Sequence, residues 1–105
     1  MGLRAPARIT IEVREVASRP DPVRRFRLSR SLGPDDVEVE RDVGFPPGQP
    51  VRVRLRLPAT AERLDLDGVV APEDEPAAAR IVCFIDLDPE VRRRLVAYLE
   101  ERLGL

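Results

Sequence analysis

Apolar positions in this chain recur at every second residue through most of its length, and at every third or fourth residue only at its end. Ile9, Ile11 and Val13 alternate with Thr10, Glu12 and Arg14, which is the period of a half-buried strand. Glu15-Val16 breaks the phase, so a bulge or strand end is expected there. Ser18-Arg19-Pro20-Asp21-Pro22 reads as a turn, because two prolines forbid a continuous ladder. A second strand is predicted from Val23 to Ser29, with Phe26 and Leu28 inward. A turn at Leu32-Gly33-Pro34-Asp35-Asp36 leads to a short third strand through Val37, Val39 and Arg41. Past the rigid connector Phe45-Pro46-Pro47-Gly48-Gln49-Pro50, Val51, Val53, Leu55 and Leu57 alternate strictly with Arg52, Arg54 and Arg56. Pro58-Ala59-Thr60-Ala61 turns the chain. Leu64 and Leu66 then alternate with Arg63, Asp65 and Asp67, and Gly68-Val69-Val70 continues the strand. These two strands are predicted to pair as a hairpin with their leucines on one face. That pairing places Arg54 and Arg56 near Asp65 and Asp67 on the other face, as opposite charges across a ladder favour.

The acidic stretch Ala71-Pro72-Glu73-Asp74-Glu75-Pro76 is expected to be a solvated, mobile loop. Ala79 to Ile85 is apolar on both faces, which predicts a sixth strand lying between the barrel interior and a helix. That helix spans 88–103. Asp88 is its N-cap, Pro89 its first residue, Glu90 an acid in its first turn and Gly104 its stop. Val91, Leu95, Tyr98, Leu99 and Leu103 form its apolar stripe, with Arg92, Arg93 and Arg94 turned mostly away. The elements sum to a mainly β fold: a small six-stranded antiparallel barrel with one C-terminal α-helix. Closure removes the exposed edges of so short a sheet. At 105 residues the chain is read as a single domain, 1–105, with one core.

Composition narrows the function. The chain has no His, one Cys and no Trp, so no Ser-His, Cys-His or zinc-ligand set can be assembled. The six glycines are scattered and form no phosphate loop. The acid pairs Asp65/Asp67 and Asp86/Asp88 have simpler roles, in the ladder for the first pair and in helix capping for Asp88. No enzymatic activity is therefore expected. Cys83, alone in an apolar run, reads as a small buried hydrophobe in a protein of a reduced, cytoplasmic compartment. The formal net charge of −1 and the scarcity of aromatic residues argue against DNA or RNA as partner. No stretch approaches the length of a membrane span, so no membrane insertion is expected. Every basic residue is Arg. That fits a GC-rich bacterial genome, and it equally fits a surface that recognises phosphate or carboxylate with guanidinium forks.

Arg4 and Arg8, separated by Ala5-Pro6-Ala7, stand just before the first strand. Pro6 disfavours a helix there, so residues 1–8 are expected to be a flexible, extended lead-in whose two arginines close on an anion from one side. This R-x-x-x-R resembles the N-terminal motif of the PilZ domain family, small bacterial barrels known as receptors for cyclic di-GMP. Phe45-Pro46-Pro47-Gly48 leading into Val51–Pro58, Leu66-Asp67-Gly68-Val69-Val70, and Ile81 to Glu90 with the helix are similar to the middle and end of that family. Its second motif, D/N-x-S-x-x-G, falls on Arg27-Leu28-Ser29-Arg30-Ser31-Leu32. Ser29 matches. Arg27 stands in place of the acid or amide and cannot accept a hydrogen bond. Leu32 replaces the glycine and resists a positive φ, with Gly33 one residue late.

The resemblance implies a PilZ-like barrel acting as a cytoplasmic, non-enzymatic regulatory domain, with cyclic di-GMP as a regulatory ligand rather than a cofactor. Arg4 and Arg8 would grip its phosphates and guanine faces and Ser29 would line the opposite wall. Arg27 or Arg30 would add phosphate contacts, and the ordered lead-in would dock onto a partner protein. The departures in the second motif leave an alternative open: a degenerate PilZ-like interaction module that binds a protein partner without the nucleotide.

Overall fold

The computed structural model describes residues 3–17, 19–58, 62–72 and 78–105, residue 78 by its backbone. Its strands are β1 (Ala5–Pro6), β2 (Thr10–Glu15), β3 (Arg24–Leu32), β4 (Asp36–Val39), β5 (Pro50–Leu57), β6 (Glu62–Val70) and β7 (Ile81–Phe84). A single 3-10 turn, Ala78–Arg80, precedes β7, and the helix α1 spans Pro89–Leu103. Strand order is β1-β3-β2-β5-β6-β7-β4, and β4 pairs back onto β3. The result is a closed six-stranded antiparallel barrel with one C-terminal helix, the architecture that the apolar alternation predicts. The turn at 59–61, Ser18, and residues 73–76 of the acidic loop lie outside the described residues.

The small β1 is an addition to the predicted set. Ala5 and Pro6 pair with Leu32 and Ser31 of β3, while Thr10 to Arg14 pair with the earlier part of the same strand. Between them the backbone stays on β3, with the Ala7 N–H donating to the Arg30 carbonyl (3.2 Å) and the Ser29 N–H to that of Ile9 (2.8 Å). β1 and β2 are thus one path along β3, interrupted at Ala7–Ile9. The stretch expected to lead in flexibly is laid into the sheet, with Ala5 and Ala7 buried. Small side chains permit that close approach, and Pro6 sits where a strand end tolerates it.

β5 carries the cleanest pattern, with Val51, Val53, Leu55 and Leu57 buried and the arginines between them exposed. Its register against β6 sets Leu55 opposite Leu64 and Val53 opposite Leu66. On the outside Arg54 meets Asp65 and Arg52 meets Asp67, but Arg56 meets Arg63. The expected acid is not opposite Arg56 because the register lies two residues from the one that faces Leu57 with Leu64 and Leu55 with Leu66. Leu57 meets Glu62 instead, and a two-residue shift leaves the same face buried.

The phase of β3 also differs from expectation. Phe26 is 61% exposed, and it is Arg25 and Arg27 that stand opposite the buried Val13 and Ile11. Facing residues share a side of the sheet, so the arginines lie on the inner side and Phe26 and Leu28 on the outer. Near this end of the barrel the arginine stems replace apolar side chains. The Arg25 guanidinium lies 6.0 Å from the Phe45 ring centroid, within cation–π range. Arg27 donates through Nε to the Asp42 carbonyl (2.8 Å) and through Nη1 to the Phe26 carbonyl (2.9 Å). Gly44 is required beside them. Its φ is +91°, and a Cβ there would come within 2.6 Å of Arg27 Nη2.

At the opposite end the helix is the closure. Asp88 accepts the Glu90 N–H (2.8 Å) at its start, and Gly104 adopts the left-handed conformation at its stop. Leu95 and Leu99 are fully buried in the core. Arg92 pairs with Asp35 in the β3–β4 turn and Arg94 with Glu62 at the start of β6. Arg102 donates to the Pro6 carbonyl (3.3 Å). These ties place α1 across the barrel end rather than along β7, where it was expected. No helix among the described residues is long and apolar enough to cross a membrane.

Candidate functional site

Pairing of β1 with β3 brings Arg4 and Arg8 alongside β4. Arg4 donates to Ser31 Oγ (2.5 Å) and forms an ion pair with Asp36. Arg8 Nη1 lies 3.3 Å from Glu40 Oε1. Ser31 Oγ in turn donates to Glu38 Oε1 (3.2 Å). Alternation along β4 explains this row: Val37 and Val39 are buried in the barrel, so Asp36, Glu38 and Glu40 point out. The arginines are four residues apart, and so are the acids that meet them. Exposed ion pairs of this kind are worth about 0–1 kcal/mol each. Their larger effect is on sign, because an approaching anion meets three carboxylates together with the two arginines.

Ser29 is 1% exposed and is the buried polar side chain among the described residues. Its hydroxyl donates to the Ala7 carbonyl and accepts the Ile9 N–H (2.8 Å). These bonds satisfy the interruption between β1 and β2, where the ladder alone leaves buried backbone groups unpaired. Ser29 therefore fastens the arginine segment to the barrel from beneath and presents nothing to a ligand outside.

The remaining expected contacts separate further. Arg27 is turned inward and held by the Asp42 and Phe26 carbonyls. Arg30 is exposed and makes no ion pair among the described residues. Leu32, where the resembled motif has its glycine, is a core residue of β3 with no positive φ. Gly33 begins the turn instead, its N–H donating to the Asp36 carbonyl (2.9 Å). The structure thus unites Arg4 and Arg8 and does not bring Ser29 or Arg27 to them. The residues that sequence reasoning passed over are Asp36, Glu38 and Glu40. Their signal was visible in the alternation Asp36-Val37-Glu38-Val39-Glu40, which repeats the spacing of the arginine pair.

No family model and no curated protein matches the sequence. Solved structures do match. The inhibitor of motility of Bacillus subtilis (MotI/DgrA) aligns with a TM-score of 0.72 at 17% identity, over 99% of this chain and 51% of that one. This chain therefore spans about half the length of that neighbour. The PilZ domain of CeSA from a cellulose-synthesizing bacterium aligns with a TM-score of 0.62 at 18% identity, over 96% of this chain and 95% of that one. The fold is PilZ-like.

Proposed function

We propose that this chain is a non-enzymatic regulatory domain of the PilZ type that works by docking onto a partner protein, and that its arginine pair does not take up cyclic di-GMP. The observation that carries this reading is the use made of the second motif. Ser29 is sealed under the lead-in, Arg27 is bound into the barrel end, and Leu32 is core. Of the second-motif residues expected to face a ligand, Ser29 and Arg27 are engaged in folding, and Arg30 is exposed. The carboxylates of β4 add to this by facing the phosphate-seeking arginines with like charge to the ligand. That a structural neighbour is an inhibitor of motility supports a regulatory role for the fold.

A second reading, a cyclic di-GMP receptor, is favoured by one observation: the Arg8 side chain is 73% exposed and its contact with Glu40 is a surface one. Isothermal titration calorimetry with cyclic di-GMP separates the two. The wild type, shown to be folded, is expected to give no heat, and so is Arg4→Ala/Arg8→Ala. Asp36→Asn/Glu40→Gln is expected to gain at most weak binding. Micromolar binding by the wild type that disappears in the arginine variant would establish the receptor instead.

A further inference from the structure

Outside the lead-in, the barrel carries a second group of arginines, only some of which are paired with acids. Across the outer surface of β3, β2, β5 and β6 the registers produce three rows. Arg24, Arg14, Arg52 and Asp67 form one, and Phe26, Glu12, Arg54 and Asp65 the next. In the third, Leu28 faces Thr10, and Arg56 faces Arg63. In the first row Arg14 stands opposite both Arg24 and Arg52 and makes no ion pair among the described residues, and Glu12 lies 3.9 Å from Arg24. The β5–β6 pair of each of these rows is compensated: Arg52 reaches Asp67 (3.1 Å) and Arg54 reaches Asp65 (2.8 Å). That of the third is not. Arg56 and Arg63 stand directly opposite with no ion pair among the described residues, and the nearby Glu62 is taken by Arg94. Like charges directly opposite destabilise a ladder. A local rule broken in an otherwise consistent hairpin marks a place where something other than folding is served.

What lies beside that pair indicates what it serves. A shallow groove of about 230 Å³ is lined by Thr10, Glu12, Phe26, Arg54, Arg56 and Arg63. Phe26 is the aromatic ring left exposed on this barrel, since Phe84 is buried and Phe45 and Tyr98 pack against the core. An exposed aromatic anchor beside uncompensated guanidinium groups is the composition of a protein-binding hot spot, and paired arginine forks bind carboxylates bidentately.

Resting on the reading of this chain as a docking module, we infer that the Phe26–Arg56–Arg63 surface is where the partner binds, and that the partner presents an acidic segment carrying an apolar side chain. Carboxylates of that segment relieve the Arg56–Arg63 repulsion and the apolar side chain covers Phe26. Charge complementarity selects this occupant. The patch offers one ring, too few to stack successive bases as a single-stranded nucleic acid requires.

The test is a titration of the ¹⁵N-labelled chain, followed by amide shifts, with the peptide Asp-Glu-Leu-Glu-Glu-Leu-Asp. A control peptide has serine in place of both leucines. Saturable shifts at Thr10, Phe26, Arg56 and Arg63 are expected with the first peptide, with affinity falling about ten-fold or more in Arg56→Gln/Arg63→Gln and in Phe26→Ser. Thermal melting checks that both variants are folded, and both changes lie on exposed positions. The serine peptide is expected to bind more weakly. Absence of saturable shifts at millimolar peptide overturns the inference. So does a thymidine oligonucleotide that binds the same amides more tightly than the peptide. Shifts confined to another surface overturn this face and leave the docking reading standing. Cyclic di-GMP moving Arg4 and Arg8 in the same sample counts against the docking reading and leaves this face untouched.

Discussion

Two pairs of arginines on this barrel invite opposite conclusions from sequence and from structure. Arg4 and Arg8 have the spacing of a ligand motif, yet each is met by a carboxylate of the β4 row, and the serine that completes the motif is buried beneath them. Arg56 and Arg63 belong to no motif, seven residues apart on the two arms of a hairpin, yet they face each other uncompensated beside an exposed ring. Side-chain type shows what a residue is able to bind. Whether it is free to bind is decided by register, because register selects what stands opposite. In this chain Arg4 and Arg8 are met by carboxylates, and Arg56 and Arg63 are not.

Three variants break or sharpen that contrast. The largest effect is expected at Ser29. Ser29→Ala leaves the Ile9 N–H and the Ala7 carbonyl buried without their partner, which costs about 1–3 kcal/mol. Urea denaturation is expected to show that loss, together with faster hydrogen exchange at Ala7 and Ile9. A neutral substitution would mean that the serine is not committed to folding. Smaller shifts, of opposite sign, are expected along the β5–β6 ladder. Asp65 holds the Arg54 guanidinium above its ordinary pKa through a hydrogen bond and charge, so Arg54→Glu opposite Asp65 should lower Tm by roughly a few degrees. Arg56→Glu opposite Arg63 should raise Tm slightly while abolishing peptide binding. If both variants melt lower, the Arg56–Arg63 pair is not an uncompensated one.

The smallest effect concerns pH. The Val23 N–H and then Arg19 hold the Glu15 carboxyl below the usual glutamate range, and Arg93 does the same for Glu90. A depressed folded pKa contributes stability that is present above the unfolded value, about 4.3, and is lost as pH falls through the folded value. Tm is therefore expected to decline on acidification below that range, and Glu15→Gln is expected to flatten the decline. Neither carboxyl touches either arginine pair, so an acid transition unchanged by Glu15→Gln and Glu90→Gln would shift attention to the β4 acids.

Much of the fold was legible because most strands bury one face in strict alternation. Val51 to Leu57 and Leu64 to Val70 were legible as a hairpin with one buried face, though the register, Leu55 opposite Leu64 and Val53 opposite Leu66, lies two residues from the one that faces leucine with leucine. The caps of the helix were written in Asp88, Pro89 and Gly104. β3 was misread by one residue. Phe26 and Leu28 look like core, whereas the side facing inward carries Arg25 and Arg27, whose aliphatic stems cover the barrel end. A period-two pattern cannot reveal a strand whose inner side is made of arginine stems and whose pairing shifts at a bulge between Ser29 and Ser31. β1 went unseen because two residues have no period. The arginine pair of the candidate site was legible as a motif, but its neutralisation was not. Asp36 and Glu40 are distant in sequence and meet Arg4 and Arg8 only through the closure of β4 onto β3.

The central claim, that the motif arginines are engaged and the hairpin arginines are available, is tested most directly by following arginine Nε–Hε signals during a titration with pyrophosphate. Arg56 and Arg63 are expected to shift together at lower concentration than Arg4 and Arg8. If Arg4 and Arg8 respond first, with Arg56 and Arg63 unmoved, the anion-binding surface of this barrel is the motif after all and the hairpin arginines are not the available ones.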